Sequence, residues 1–158
     1  MKANSDPSIA IGGMGSTFRL ALGGAVNQQL VLFGELFSDA VANPTVEIGD
    51  ATTSTQDMTV GTRALGVGVA YYLPNNFYLG GTLALVSLAI QTNSETVGSS
   101  DGGHGVTLSL GKEWWVSPQW GLGLAGNVFL GRVRDTPAPD AATWMITAAM
   151  LALSASYN

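Results

Sequence analysis

The chain has 158 residues, 46% of them hydrophobic and only 11% charged, with 21 Gly, no Cys and a formal net charge of -5. A charged fraction below half the usual ~25%, together with a mean hydropathy of +0.27, excludes a disordered tail and an ordinary highly charged soluble surface. Six basic residues scattered along an acidic chain exclude a phosphate-neutralising stripe and hence nucleic acid as a partner, and the absence of Cys excludes disulfides and thiolate metal sites.

Residues 1–7 are polar with one Lys, and no apolar run follows that would serve as the core of a signal peptide, so none is expected within this chain: either the protein is not exported or the signal has been removed. Every apolar stretch is interrupted before the length of a membrane-spanning helix. The nearest candidate, residues 141–155, is too short, and its tail alternates. The reading divides the chain into a polar, Gly-rich N-terminal segment, 1–15, and one domain, 16–158.

From Ser16 onward apolar residues recur at every second position, the spacing that puts side chains on one face of a strand. Phe18, Leu20, Leu22 and Val26 share a face against Arg19, Ala21, Gly23 and Ala25. Leu30, Leu32 and Leu36 oppose Val31, Phe33, Glu35, Phe37 and Asp39. Leu65, Val67, Val69, Tyr71 and Leu73 alternate with Ala64, Gly66, Gly68, Ala70 and Tyr72. Phe77, Leu79, Leu83 and Leu85 oppose Tyr78, Gly80, Thr82 and Ala84. Val106, Leu108, Leu110 and Trp114 oppose Thr107, Ser109, Glu113 and Trp115. Trp120, Leu122, Leu124, Val128 and Leu130 oppose Gly121, Gly123, Ala125, Asn127 and Phe129. Leu151, Leu153, Ala155 and Tyr157 alternate with Met150, Ala152, Ser154 and Ser156. This predicts seven strands, one face large and apolar, the other small, polar or charged.

The connections alternate in length. Residues 27–29, 74–76 and 117–119 fit tight hairpins, whereas 42–59, 91–103 and 134–142 are long and polar. Tight turns at one end and long loops at the other describe an antiparallel up-and-down transmembrane β-barrel, and the strands reach the roughly 9 to 11 residues a tilted spanning strand needs. Aromatic residues gather near the short turns. Tyr71, Phe77, Trp114, Trp120 and Tyr157 fall on the large apolar face, where a ring at the membrane–water interface belongs, and this girdle is preferred over a hydrophobic plug.

On these features the chain resembles the small outer-membrane β-barrel proteins of Gram-negative bacteria, the eight-stranded class that includes outer-membrane proteins A and X. The resemblance covers residues 16–158 as a pattern and includes no diagnostic motif. It implies an eight-stranded closed barrel, a bacterial outer-membrane location, lipid as the main partner, and delivery by the outer-membrane insertion machinery. The chain departs from the class in ending Ser156-Tyr157-Asn158 rather than on an aromatic residue, and in showing seven strands where an even number is the rule. Residues 8–14 supply at most a short piece, with Ile9 and Ile11 out of phase with Phe18 and Leu20. The expectation is a first strand truncated here, a full-length form carrying roughly 10 to 20 more N-terminal residues.

The inward phase collects Arg19, Glu35, Asp39, Glu113 and Asn127 with Thr82, Thr107 and Ser109. These are expected to form a hydrogen-bonded lumen network rather than an ion path, because eight-stranded barrels are filled by side chains. Inward glycines such as Gly66, Gly68, Gly80, Gly121 and Gly123 leave room for Phe33, Phe37 and Phe129. Lys112 has two readings, snorkelling from the lipid face at the short-turn rim or turned inward by a bulge at Gly111. His104 with Ser99, Ser100 and Asp101 is too local a set for triad geometry, and the run 12–17 lacks the Lys of a phosphate loop, so no enzyme, cofactor or metal site is expected. The acidic loops, with Glu47, Asp50, Asp57, Glu95, Asp101, Asp135 and Asp140, offer a surface for a cation or an unidentified partner, a solvated loop being the plainer reading.

The expected function is structural or surface-interactive, without an open pore. Two alternatives stand beside it: a soluble lipocalin-like barrel holding a small apolar ligand, which would need polar outward residues, and a narrow or oligomeric small-solute pore.

Overall fold

The structure is a computed structural model, and it describes residues 9–48, 51–92, 95–99, 102–134 and 143–157. Among these every regular element is a strand: β1 (Ile9–Gly12), β2 (Gly15–Ala25), β3 (Leu30–Ala42), β4 (Thr45–Ile48), β5 (Ala51–Ser54), β6 (Met58–Tyr72), β7 (Phe77–Thr92), β8 (Glu95–Ser99), β9 (Gly102–Trp115), β10 (Trp120–Arg134) and β11 (Thr143–Tyr157). No described helix is long and apolar enough to cross a membrane. The protein is all-β.

The seven strands expected from the alternation are β2, β3, β6, β7, β9, β10 and β11, and they pair antiparallel in that order as one sheet. Leu65, Val67 and Leu85 stand 62%, 69% and 72% exposed on the outward face. Thr82, Ala84, Thr107, Ala125 and Phe129 are buried on the inward one. A period of two on a pleated strand forces this separation, and a slip of one residue would exchange the faces. The sheet curls until its two ends approach, and the Thr17 hydroxyl on β2 lies 3.3 Å from the Met150 sulfur on β11.

Three short hairpins hold the register. The backbone N–H of Val26, Leu73 and Val116 donates to the carbonyl of Leu30, Phe77 and Trp120, leaving the three-residue loops expected from the sequence. Each loop supplies its own chemistry. Asn27 Oδ1 accepts from the N–H of Gln29 and Leu30, both at 2.9 Å. Ser117 Oγ accepts from Gln119 and Trp120. Asn75 and Asn76 adopt left-handed φ of 75° and 60°, which Asn tolerates better than most residues.

The long connections differ from expectation. Within 42–59 the chain forms β4 and β5, which join β1 in a separate three-stranded sheet. Ile9 and Ile11 lie opposite Ile48 and Val46. Residues 9–12 therefore do not extend the main sheet as a remnant first strand; their backbone groups are satisfied by a loop-end strand instead. β8, expected as loop, adds to the end of β7 across an irregularity at Ile90/Gln91. β11 begins at Thr143, well before the alternation becomes obvious, because β10 pairs with it along its whole length.

The interior centres on Phe37 and Phe129, whose rings meet edge to face at 5.1 Å and 73°. Ala64, Ala84, Val86 and Val133 complete the buried cluster, and Trp144, Ile146 and Met150 of β11 pack against it. Six antiparallel steps leave β2 and β11 running in the same direction, and no backbone ladder joins them among the described residues. The main sheet is a curled half-barrel with an open seam. Seven long strands are thus present among the described residues, as the alternation predicts, and an eighth that would close the sheet is not among them.

Candidate functional site: the inward face and its rims

Arg19 on β2 and Glu35 on β3 form the central inward contact. Arg19 Nε donates to Glu35 Oε1 at 2.7 Å, and Nη2 lies 2.6 Å from the same oxygen. The second carboxylate oxygen accepts from Thr82 Oγ1 of β7 at 2.9 Å. The guanidinium also stands 5.5 Å from the Phe37 ring centroid. Both oxygens of a buried carboxylate are thus held, as a charge removed from water requires.

Asn127 on β10 belongs to a second cluster, where Ser109 Oγ donates to its Oδ1 at 2.7 Å. Glu113 lies in a third, nearer the short turns, where the Tyr72 hydroxyl donates to its carboxylate. Tyr72 and Tyr78 pack at 5.4 Å, and Gly111 is bare because a Cβ there would enter the Tyr78 ring. Asp39 is inward near the loop end, and its Oδ1 is buried without a hydrogen-bond partner among the described residues. Thr107 Oγ1, Asn127 Nδ2 and Ser154 Oγ share that condition. Of the five residues expected to form one lumen network, Arg19 and Glu35 are in direct contact, while Asn127 bonds to Ser109 and Glu113 to Tyr72.

The aromatic residues divide as well. Tyr71, Phe77, Trp114 and Trp120 are outward and half exposed at the short-turn rim, and the Tyr71 hydroxyl reaches Gln29 Oε1 at 3.2 Å. Tyr157 sits opposite Trp120 in the register. Tyr72 and Tyr78 face inward, so the rim carries an outward girdle and an inward aromatic stopper together. Lys112 follows the unbroken register of β9 on the outward side, its Nζ 4.1 Å from the Phe77 ring and 5.7 Å from that of Trp114. Of its two readings, the rim position is the one observed. Sequence alone did not reveal the Thr82 link to Glu35 or the Lys112–Phe77 contact, since both depend on which strands become neighbours.

At the opposite rim the outward phase ends in cations. Arg63, Arg132 and Arg134 are exposed there, with His104 paired in register to Arg132. His104 lies within β9 rather than at the end of a loop, and Ser100 and Asp101 fall outside the described residues, as do Asp50, Asp135 and Asp140. No cluster of three or more His, Asp or Glu suited to a metal ion occurs among the described residues. Inward glycines act as expected at Gly68, where the Phe33 ring occupies the space a side chain would need, and the same holds at Gly105 beneath Phe129. Comparison with protein families, with curated proteins and with solved structures gives no match for this chain.

Proposed function

We propose that this chain is an integral outer-membrane β-barrel protein of the eight-stranded class, with lipid as its main partner, the outer-membrane insertion machinery as its route, and a structural or surface-interaction role carried by its polar loop end. The observation that carries this reading is the inverted polarity of the sheet. Ion pairs and amides are buried inside, while Leu, Val, Phe and Trp cover the outside. An apolar surface this continuous needs an apolar solvent.

The dimensions of the outward band agree. Tyr71 and Arg63 bound it on β6, and Trp120 and Arg132 bound it on β10. At about 3.3 Å per residue and a tilt of about 40°, these separations correspond to roughly 20 and 30 Å, against about 25 Å for the apolar band of such barrels. Aromatic rings at one rim and guanidinium groups at the other suit the two interfaces. The packed Phe37–Phe129 pair supports a closed interior rather than a pore.

Refolding the purified chain into detergent micelles or liposomes tests this reading. The expected outcome is a β-rich circular dichroism spectrum with a gel mobility that changes on boiling. A monomeric β-rich protein in plain buffer would overturn it.

A further inference from the structure

We infer that the seam between β2 and β11 is a strand-binding site that takes one extended polypeptide segment running antiparallel to both edges, its outward side chains apolar, its inward ones small or polar, with a Lys or Arg near its C-terminal end. The inference rests on the barrel reading for the apolar outward pattern alone.

The topology selects a single strand. β2 and β11 run the same way, so they would meet only as a parallel pair, and a second copy of this chain sharing the barrel axis would offer the same parallel match. One intervening strand of opposite direction makes every pair antiparallel, the slightly more stable arrangement. It also satisfies two rows of backbone groups that a lipid or detergent chain would leave unpaired.

The space is of matching size. A cleft of about 1120 Å³ lies along Gly15–Arg19 of β2 and Thr143–Leu153 of β11. A strand rising about 3.3 Å per residue, about 4.8 Å wide and about 10 Å deep fills roughly 160 Å³ per residue, so the cleft takes on the order of seven residues. Outward side chains on β11 also lack a lateral neighbour. Leu151, Met145 and Leu153 are 77%, 86% and 88% exposed, above the outward Leu and Val of the strands that have two neighbours, which reach 72% at Leu85.

The inward chemistry specifies the charge. Asp39 and Arg19 both line the cleft. Arg19 is committed to Glu35, whereas Asp39 Oδ1 has no donor among the described residues. Asp39 pairs in register with Thr17, near the loop end of β2. A strand antiparallel to β2 brings its C-terminal half to that level, and a basic side chain there would supply the donor.

The absence of Cys makes thiol crosslinking free of background. The probe is a synthetic peptide of about ten residues alternating valine or leucine with alanine, serine or threonine, with one inward lysine in its C-terminal half and a cysteine at either end. It is added to the full chain in whichever medium, micelles or buffer, preserves the β-rich spectrum. Thus a failure of the membrane reading shows in the medium and a failure of the inference in the crosslinks. A peptide with an N-terminal cysteine is expected to link to Leu22→Cys and Leu153→Cys, and one with a C-terminal cysteine to Met14→Cys and Met145→Cys, each pair lying eight residues apart on its edge. Leu124→Cys should link to neither, and Asp39→Asn should weaken binding of the lysine peptide about tenfold without affecting its serine counterpart. The reversed end pattern, equal linking at Leu124→Cys, no linking, or a dimer joined through Leu22→Cys and Leu153→Cys without peptide would each overturn the inference.

Discussion

Arg19 and Glu35 meet although they are not register partners. Arg19 stands opposite Phe37, and Glu35 stands opposite Ala21. The contact is a diagonal one across the β2–β3 hairpin, reached by the long guanidinium stem, with Phe37 packed beneath it. Diagonal inward neighbours lie within reach of long side chains, and here the diagonal also places Glu35 beside Thr82 of β7.

Removing one partner leaves a buried charge. Arg19→Met is expected to lower the stability of the folded protein by about 3 to 5 kcal/mol, since the Glu35 carboxylate loses its counter-ion. The double change Arg19→Met with Glu35→Leu should recover most of that loss. Urea unfolding midpoints of the three proteins in liposomes check both expectations.

Gly105 is required by Phe129. A Cβ at Gly105 would sit 2.5 Å from Phe129 Cε2, so Gly105→Ala is expected to cost about 1 to 3 kcal/mol through overpacking. Adding Phe129→Leu relieves the clash, and the cost should shrink in the double variant. Equal losses in single and double variants would show that the ring is not the cause.

Charge on the outward face should be tolerated by depth. Lys112 lies at the rim over Phe77, and Lys112→Leu is expected to change stability by about 1 kcal/mol or less. Leu108 lies four residues along the same strand, toward the middle of the band, and Leu108→Lys is expected to cost about 2 to 4 kcal/mol in a bilayer. Similar small effects at both positions would contradict burial of that face in lipid.

The 74–76 turn should depend on left-handed backbone. Asn76 has φ of 60°; Asn76→Gly is expected to be nearly neutral, whereas Asn76→Val should cost about 1 to 2 kcal/mol. Thermal or urea unfolding of the two variants distinguishes them.

The alternation was legible because it is a local property. Each residue's face follows from its neighbours at two positions, and Glu35, Asn127 and Glu113, which the alternation turns inward, are buried in the fold. Hairpin loops were legible for the same reason, since three polar residues between in-phase strands allow few geometries. β11 was only partly legible. Residues 143–149 are rich in small and helix-compatible side chains, and only the pairing with β10 makes them a strand. The sequence reads β4 and β5 as part of a long loop and β1 as at most a short piece of a first strand, because a four-residue strand carries only two alternating side chains on a face and gains its structure from its partners.

Steric and solvation preferences that act within a few residues fix the period, the two faces, the seven long strands and the three tight turns. Which inward groups meet, the pairing of Ile9–Gly12 with the loop strand Thr45–Ile48, and the facing of β2 and β11 across an open seam follow from the way the strands assemble. Those outcomes depend on strand order and curl, which bring together residues as far apart as Thr17 and Met150, and no local preference encodes a contact across that distance.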